Sequence, residues 1–371
     1  MAKKAYIGVE GIARKITKGY IGVDGVARKI KKAYVGIGGV ARPCWSGGKL
    51  EYYGTIDTFS ERSEYSAGTV GNYALFAGGD VYDTSLHVYD SSLVYSTIPT
   101  QFSSSRSNMT AATVGNNLLF VGGLISTNSY SSDVDAFDVH LTRQMLDNLS
   151  TERECAAATT VGDYVLFGGG NNASVLNTVE VYDRSLTRIT GVSSLNNTTT
   201  EHAATTVGNY ALFAGGKSGS IYRQAVTVYN ASLTCSTITN LTTARRSLTA
   251  TTVGAVALFA GGYGDSGAVG VVDTYNASLT HGTANDLAKA RYSIAATTVD
   301  DFALFGGGNV AGSYDGTNTV DVYDKALTHT TATNLSTNRY NHAATTIKNY
   351  ALFGDGDGNS NLKNMDVYTV A

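Results

Sequence analysis

The amino-acid sequence predicts an all-β fold, a seven-bladed β-propeller over residues 50–371, on three observations. The dipeptide Leu-Phe occurs seven times at spacings of 44 to 48 residues, from Leu75-Phe76 to Leu352-Phe353. Helical periodicity of apolar residues is absent from the chain. The segment before the first repeat resembles the strand that the last repeat lacks, so the ring is predicted to be closed by an N-terminal strand. A sheet repeated every 40 to 50 residues or so is typical of a propeller.

Each repeat predicts four short strands, seen most clearly at residues 204–216 (ATTVGNYALFAGG). Ala-Ala-Thr-Thr-Val is the first strand, and its small residues suit the crowded innermost position. A pair such as Gly208-Asn209 suits a hairpin turn that needs positive φ. Tyr-Ala-Leu-Phe-Ala-Gly is apolar on both faces, which predicts a second strand covered on both sides. Val-Tyr-Asp forms the third strand, and Ser-Leu-Thr begins the turn into a Thr-rich fourth.

Ring closure is predicted from the two ends of the repeated region. The seventh repeat stops directly after its third strand, at Val370-Ala371. Residues 50–56 (LEYYGTI) resemble a fourth strand such as residues 93–98 (LVYSTI). We therefore expect residues 50–56 to complete the last blade and to leave no open sheet edge between the first and last blades.

An apolar strand ending in Gly-Gly, a later Tyr-Asp pair and an arginine before the first strand together resemble kelch repeats, over roughly residues 50–371. The resemblance implies a kelch-like propeller whose ligand face often carries the loops between the second and third strands. Kelch repeats usually have a Trp in the fourth strand, whereas Trp45, the single Trp of this chain, lies before the ring. Ser, Thr and Ile take those places here.

The first 49 residues differ from the rest in charge and in repeat length. They carry eleven Lys and Arg against two acids, a net charge of +9, which leaves −12 for residues 50–371. A 14-residue pattern recurs at residues 5–14, 19–28 and 33–42, with Glu10-Gly11, Asp24-Gly25 and Gly38-Gly39 as two-residue hairpin turns. We therefore expect two domains, a basic three-hairpin region (1–49) and the propeller (50–371).

Three such hairpins bury little apolar area, so we expect them to need a partner surface: the propeller, copies of themselves or a larger assembly. Their Tyr-Ile-Gly-Val-Asp-Gly-Val-Ala-Arg-Lys pattern is similar to short repeats in phage and prophage structural proteins of Gram-positive bacteria. That resemblance implies a virion-associated protein attached through residues 1–49. The residues expected to mediate attachment are Tyr6, Arg14, Tyr20, Arg28, Tyr34, Arg42 and Trp45.

Two other interpretations of the basic region stay open. Its Lys and Arg residues can be the solvated face of a β-meander that caps the ring. They can also contact phosphates of a nucleic acid with stacking by the tyrosines, although the acidic propeller argues against a nucleic-acid partner.

Several classes of protein are disfavoured by composition. Cys44, Cys155 and Cys235 are odd in number and have no paired spacing, which argues against a disulfide framework or a Cys-based metal site. The start of the chain lacks the apolar core of a signal peptide. No apolar run approaches the roughly 18 residues of a membrane span. We expect location on a virion or another extracellular particle, with the cytoplasm as the alternative, no membrane partner and no cofactor.

Candidate ligand contacts surround one mouth of the predicted channel. An arginine stands eight residues before the end of the first strand in six blades, and Thr199 takes its place in the fourth. Arginine can hold carboxylates or phosphates, or it can bond loop carbonyls between blades, which repetition across the blades favours. The set of arginines and neighbouring residues is Arg62, Arg106, Arg153, Arg245, Arg291, Arg339, Tyr65, His202, Tyr292, Tyr340 and His342.

Positions that differ between blades carry more information about recognition. The loops between the second and third strands vary and are rich in Tyr, Ser and Asn, which suits contact with a protein or a glycan. Ordinary solvated loops are the alternative. The variable loops are residues 124–132, 217–224, 263–268 and 309–316.

A weak cation-binding pattern lies in the last blade. Asp355, Asp357 and Asn359 alternate as calcium ligands do, with Asp366 further on. Ser360 stands where the sharp-turn glycine belongs, and strands flank the segment. A structural loop is the favoured interpretation, with a metal site as the alternative.

No catalytic motif stands out, so the leading hypothesis is a non-enzymatic binding or structural protein. We expect a phage-associated or prophage-associated protein that displays a propeller for protein or glycan recognition. The alternatives are a glycan-directed hydrolase or oxidase on the same scaffold, and an intracellular kelch-type adaptor.

Overall fold

The computed structural model describes residues 48–58, 63–79, 84–98, 102, 104–312, 315–358 and 363–370, together with the backbone of strands between residues 5 and 46. It divides into two compact units, residues 1–51 with 370–371, and residues 52–369. The described residues form strands, turns and loops, and among them no helix is long and apolar enough to cross a membrane.

Seven antiparallel four-stranded sheets confirm the predicted propeller. The first strands are Tyr65–Val70, Thr110–Val114, Ala157–Val161, Ala203–Val207, Thr249–Val253, Ala295–Val299 and Ala344–Ile347. The second strands are Tyr73–Gly78, Asn117–Val121, Tyr164–Gly168, Tyr210–Ala214, Val256–Ala260, Phe302–Gly306 and Tyr350–Phe353. The third strands are Leu86–Asp90, Val134–Asp138, Val179–Asp183, Val226–Asn230, Val272–Asn276, Val320–Asp324 and Asn364–Val370. The fourth strands are Tyr95–Thr97, Arg143–Met145, Arg188–Ile189, Cys235–Thr237, His281–Ala284, His329–Thr331 and Leu50–Asp57.

The ring is closed by the strand that the sequence indicated. Leu50–Asp57 is the outermost strand of the seventh blade, next to Asn364–Val370. The Tyr52 hydroxyl donates a hydrogen bond of 2.6 Å to Asp366 Oδ1. Around the centre, every first strand contacts the first strands of both neighbouring blades, the seventh and first included. The predicted closure is therefore confirmed.

Threonines of the first strands link one blade to the next. The hydroxyls of Thr251 and Thr298 lie 2.8 Å apart, and those of Thr69 and Thr345 lie 2.8 Å apart across the joint between the first and last blades. The Thr252 hydroxyl donates to the Thr206 carbonyl at 2.7 Å. Threonine is small enough for this crowded centre and still offers a hydrogen bond, which explains the repeated Ala-Ala-Thr-Thr-Val.

The hydrophobic core lies between blades. Phe213 of the fourth blade is 2% exposed and packs with Leu166, Val181 and Leu195 of the third. The tyrosine of the third strand adds a hydrogen bond across the same joint, as in Tyr229, whose hydroxyl donates to the Ser193 carbonyl at 2.7 Å. Because the second strand is covered by a blade on each side, it is apolar on both faces, as predicted, with Asn117 at the start of one such strand as an exception.

Turn chemistry follows the repeated sequence. Gly208 has φ +57°, as the Gly-Asn turn between the first two strands requires. After the third strand, Asn230 Oδ1 accepts hydrogen bonds from the backbone N–H of Ser232 (2.9 Å) and Thr234 (3.0 Å). Leu233, between them, has φ +59°. The Asx turn thus explains why Asp or Asn follows the tyrosine of the third strand.

Three small hairpins extend the loops between the second and third strands. They lie in the second, fourth and fifth blades and lengthen the face that carries these loops. Their strands are Leu124–Ser126 with Ser129–Tyr130, Lys217–Ser218 with Ile221–Tyr222, and Tyr263–Gly264 with Gly267–Ala268.

The basic N-terminal region forms three antiparallel strand pairs, which confirms the predicted hairpins. The predicted turns at residues 10–11, 24–25 and 38–39 lie outside the described residues. The pairs are Ala5–Val9 with Ile12–Ile16, Tyr20–Val23 with Val26–Lys29, and Lys32–Ile37 with Val40–Ser46.

Deletion of residues 50–57 is expected to abolish cooperative unfolding, because the seventh blade loses its outer strand and the Tyr52–Asp366 bond. Calorimetry or circular dichroism during heating measures the transition. Deletion of residues 1–47 is the control and should keep a cooperative transition. An unchanged melting curve for the 50–57 deletion would contradict the role of closure.

Phe213→Ala is expected to lower the free energy of unfolding by about 3–5 kcal/mol, as for other buried phenylalanines. Met145→Ala is the control, since Met145 is 55% exposed and such a change usually stays within about 0.5 kcal/mol. Chemical denaturation measures both. A loss below about 1 kcal/mol for Phe213→Ala would show that the second strand is not the packed one.

Candidate functional site

The arginines placed by the sequence at the channel mouth are buried inside the blades. Arg245 Nε donates to the Gly261 carbonyl at 2.7 Å, and Arg245 Nη2 lies 2.8 Å from Asp273 Oδ2. Neither side chain of this ion pair is exposed. Each of the five described arginines is at most 1% exposed and forms an equivalent pair: Arg106–Asp135, Arg153–Glu180, Arg245–Asp273, Arg291–Asp321 and Arg339–Asp366.

Burial and charge oppose each other at these pairs. Desolvation lowers the pKa of the Arg106, Arg153, Arg245 and Arg291 guanidinium groups, and the adjacent carboxylates raise it. A buried charge needs a partner and a full set of hydrogen bonds. The geometry supports the interpretation of these arginines as structural, bonded to loop carbonyls. Arg62 lies outside the described residues.

The sequence interpretation missed the acids that pair with the arginines. Each acid directly precedes the Val-Tyr or equivalent dipeptide of its third strand. Besides its arginine, Asp273 also accepts a hydrogen bond from the Thr242 backbone N–H (2.9 Å) and contacts His281 Nε2 (2.7 Å). The signal was present in the repeats. In the fourth blade both positions change, to Thr199 and Thr227, whereas the first blade keeps Arg62 and has His87 at the acid position.

The fourth blade holds a small cavity where its arginine would lie. Thr199 keeps the bond to the glycine carbonyl, since its hydroxyl donates to Gly215 at 2.8 Å. Thr199, Thr227, His202 and Arg223 are among the residues that line a cavity of about 10 Å³, which is room for about one water molecule. A cavity of this size accommodates no larger ligand.

Three of the predicted contact residues are also buried. Tyr65, His202 and His342 are 8%, 7% and 8% exposed. In other blades the same position holds apolar residues such as Leu248 and Ile294. Desolvation lowers the pKa of His202 to about 4 and that of His342 well below its ordinary value. Both imidazoles are therefore neutral parts of the core between blades.

A circle of backbone hydrogen bonds surrounds the channel mouth. The residue two places after each arginine position has positive φ, and in five blades its N–H donates to the carbonyl of the equivalent residue of the preceding blade, as Ser247 N does to the Glu201 carbonyl (2.8 Å). This circle forms the rim of the mouth and consists of Glu64, Asn108, Cys155, Glu201, Ser247, Ser293 and Asn341.

A second circle of paired residues lies beside the rim. The residue directly after each arginine bridges to the residue after Gly-Gly, and neither position repeats its residue type regularly around the ring. These bridges are Ser107–Leu124, Glu154–Asn171, Thr200–Lys217, Arg246–Tyr263, Tyr292–Asn309 and Tyr340–Asp357. We name the rim and these bridged residues the mouth face. A repeated frame thus presents a non-repeated surface.

Charged groups are fixed around Glu201 on the mouth face. Glu201 Oε1 lies 2.7 Å from Lys217 Nζ, and Oε2 lies 2.6 Å from Arg246 Nη1. The Ser247 hydroxyl also donates to Oε2 at 2.7 Å. These bonds lower the pKa of Glu201 against the opposing effect of desolvation, which is the larger single influence. The carboxylate is therefore an ionised anchor that orients both cations.

Half-buried tyrosines lie along the mouth face from the fourth blade to the seventh. The ring centroids of Tyr222 and Tyr263 are 6.4 Å apart, and those of Tyr263 and Tyr292 are 5.2 Å apart. Tyr340 bridges to Asp357 as Tyr292 bridges to Asn309. Of the five predicted contacts beside the arginines, Tyr292 and Tyr340 therefore do lie at the mouth. Sequence reasoning missed Glu201 and Arg246.

The predicted cation ligands have other partners. Asp355 is 5% exposed and accepts a bond from the Thr58 hydroxyl (2.7 Å). Asp357 accepts one from Asn341 Nδ2 (3.0 Å). Asn359 lies outside the described residues, and within the described part of the chain no group of three His, Cys, Asp or Glu is arranged to hold a metal ion.

The predicted attachment residues cannot be placed beyond their strands. Their backbone belongs to the three hairpins, with Ile7 opposite Arg14 and Ile21 opposite Arg28. Their side chains lie outside the described part of the structure.

Comparisons with known proteins add no relative. No protein-family model matches the chain, and no curated protein matches it.

Arg245→Thr is expected to lower the free energy of unfolding by about 3–5 kcal/mol, because Asp273 stays buried without its main counter-charge. Adding Asp273→Thr recreates the pair of the fourth blade and should recover much of the loss. Chemical denaturation of both single variants and the double variant gives the coupling energy. Additive effects would contradict the pairing.

Stability is expected to fall as pH decreases from about 6.5 to about 4, because His202 is neutral when folded and takes up a proton when unfolded. Because the pKa of His202 is lower in the folded state, its contribution to stability is complete above the pKa of the unfolded state. This contribution is lost as pH falls toward the pKa of the folded state. His202→Leu carries the residue type of the fifth blade and should reduce this slope. Urea denaturation at stepped pH measures it, and an unchanged slope would contradict the buried, neutral imidazole.

Proposed function

We propose that this protein is a non-enzymatic recognition protein whose propeller binds a protein or a glycan at the mouth face. In this proposal the basic N-terminal hairpins anchor it in a larger assembly, such as a phage or prophage-derived particle. An arginine before the first strand in six blades, Gly-Gly after the second strand in six and Tyr-Asp in three further suggest that the propeller is of the kelch type.

The observation that carries the proposal is a contrast between two parts of the propeller. The frame, meaning the threonine bonds and buried ion pairs, repeats around the ring, whereas the mouth face does not. The frame repeats from blade to blade, with Thr hydrogen bonds at the centre and buried ion pairs further out. The bridged positions of the mouth face do not repeat, and change from Glu154–Asn171 to Arg246–Tyr263 within two blades. Variable side chains on a rigid scaffold are typical of a binding surface.

Exposed apolar residues lie on two of the hairpins that extend the same face. Ile125 in the second blade is 41% exposed, and Ile221 in the fourth is 59% exposed. Exposed apolar side chains beside tyrosines and hydrogen-bonding groups suit a partner that is partly apolar and partly polar. The two hairpins therefore supply contacts beyond the rim.

Binding is favoured over catalysis by the engagement of the acids. Glu201 is held by Lys217, Arg246 and Ser247, and the five acids of the buried pairs belong to the frame. A catalytic acid or base needs a proton that it can exchange with a substrate. Incubation with a glycan panel is expected to yield no cleavage products.

The attachment role rests on charge and repeat pattern. Residues 1–49 have a net charge of +9 against −12 for the remainder, which suits a different partner for each part. The 14-residue repeat resembles those of phage structural proteins. Capsid and tail genes beside the gene would support this role, and metabolic genes would contradict it.

Purified full-length protein is expected to co-sediment with Gram-positive cells, and Ile125→Ser with Ile221→Ser should reduce this binding about tenfold, an estimate for the loss of two apolar contacts. The matched control is Val94→Ser with Met145→Ser; Val94 directly precedes the outer strand of the first blade, Met145 ends that of the second, and they are 60% and 55% exposed. Equal binding by both double variants would contradict the mouth face as the binding surface, and absence of binding to any cell would contradict a surface receptor.

A further inference from the structure

Tyr263 and Tyr292 of the mouth face form a continuous aromatic arc with Tyr222, the strand partner of Lys217. The planes of neighbouring rings meet at 73° and 80°. In such edge-to-face contacts the rings do not cover each other as stacked rings would, and all three stay partly exposed. The arc therefore leaves part of each tyrosine accessible to a ligand.

Arg246 fixes hydrogen-bonding groups along this arc. Its guanidinium carbon lies 5.3 Å from the centroid of the Tyr263 ring, and its Nη1 bonds Glu201 at 2.6 Å. Glu201 in turn holds Lys217 at 2.7 Å. Donors and acceptors are thus positioned beside the rings before any ligand arrives, which lowers the entropy lost on binding.

The charge of the mouth face disfavours an acidic ligand. Among its described residues the carboxylates are Glu64, Glu154, Glu201 and Asp357, whereas the cations are Lys217 and Arg246. The two cations already share Glu201. Carboxylates therefore outnumber cations on the described mouth face, and this net negative charge repels an added anion.

We propose that the aromatic arc is a subsite for a neutral saccharide. The weakly positive C–H face of a sugar ring stacks on the negative face of a tyrosine, while its hydroxyls bond Arg246, Glu201 and Lys217. In the second and third blades the positions after the arginine hold Ser107 and Glu154, and Tyr130 of the second-blade hairpin bonds Asn171 at 3.4 Å. The three adjoining rings lie in the next three blades. The subsite therefore belongs to the fourth, fifth and sixth blades. This inference rests on the proposed recognition function and names its ligand class.

Binding of the full-length protein to an array of neutral and sialylated oligosaccharides tests the inference. We expect retention of neutral oligosaccharides, with an affinity that changes less than about twofold between 50 and 500 mM NaCl because no net charge is neutralised. Titration calorimetry with the best neutral oligosaccharide then measures the variants. Tyr263→Ala and Tyr292→Ala should each weaken binding at least about tenfold, as loss of a central aromatic contact does.

Tyr263→Phe should keep binding within a few-fold, because it retains the ring. Tyr53→Ala is the matched control, since Tyr53 is 56% exposed on the outer strand of the seventh blade, and it should bind as the parent protein does. Melting curves verify that each variant is folded, and Tyr292→Ala serves if Tyr263→Ala fails to fold.

Four results would overturn the inference: no neutral oligosaccharide bound, a preference for sialylated ones, equal affinity of both alanine variants and the parent, or strongly salt-dependent binding of a basic peptide to the arc instead. If any of these occurs while cell binding still depends on Ile125 and Ile221, the saccharide subsite is wrong and the recognition function stands. If the parent protein also fails to bind cells, both the saccharide subsite and the recognition function are wrong.

Discussion

The buried arginine–carboxylate pair is the interaction on which the rest of the propeller depends. The Arg291 side chain bonds the Gly307 carbonyl (2.7 Å) and pairs with Asp321 in its own blade, while the Arg291 carbonyl accepts from Gly262 N–H (2.9 Å) of the preceding blade. One residue therefore fixes the second and third strands to each other and one blade to the next. Gly261 must be glycine, because it has φ +62° and a Cβ there would lie 2.5 Å from the Arg291 carbonyl oxygen.

The exceptions to this pattern are as informative as the rule. In the fourth blade Thr199 and Thr227 replace both members of the pair, which removes two buried charges at the expense of a small cavity. In the first blade His87 takes the place of the acid. An ion pair that is lost as a whole leaves no uncompensated charge, so a blade tolerates joint replacement better than a single change. The fourth blade follows this rule, whereas the sequence of the first blade keeps Arg62 with His87 at the acid position.

The fold was predictable because the sequence signals for it recur in every blade. Much of the site was not predictable, because its residues differ from blade to blade. Seven copies of Leu-Phe and the unpaired segment at residues 50–56 were sufficient for blade number and closure. The same repetition indicated that the arginines are structural. Which way each residue near an arginine points depends on a positive-φ residue such as Ser247, and a sequence pattern does not show this. Tyr292 and Tyr340 reach the mouth, whereas His202 and His342, at the third place after the arginine position, turn into the core.

Closure has a consequence for how such a protein acquires a binding surface. Because each first strand contacts two neighbours and the last blade takes its outer strand from residues 50–57, the ring has no free end at which blades can shift. A residue on the mouth face is therefore held at a fixed distance from residues on other blades, as Tyr263 of the fifth blade is from Tyr292 of the sixth (5.2 Å). Substitutions at bridged positions can then change the mouth face while the buried pairs and threonine bonds, which involve other residues, are retained. Rigidity of the frame and variability of the face are two results of the same repeated geometry.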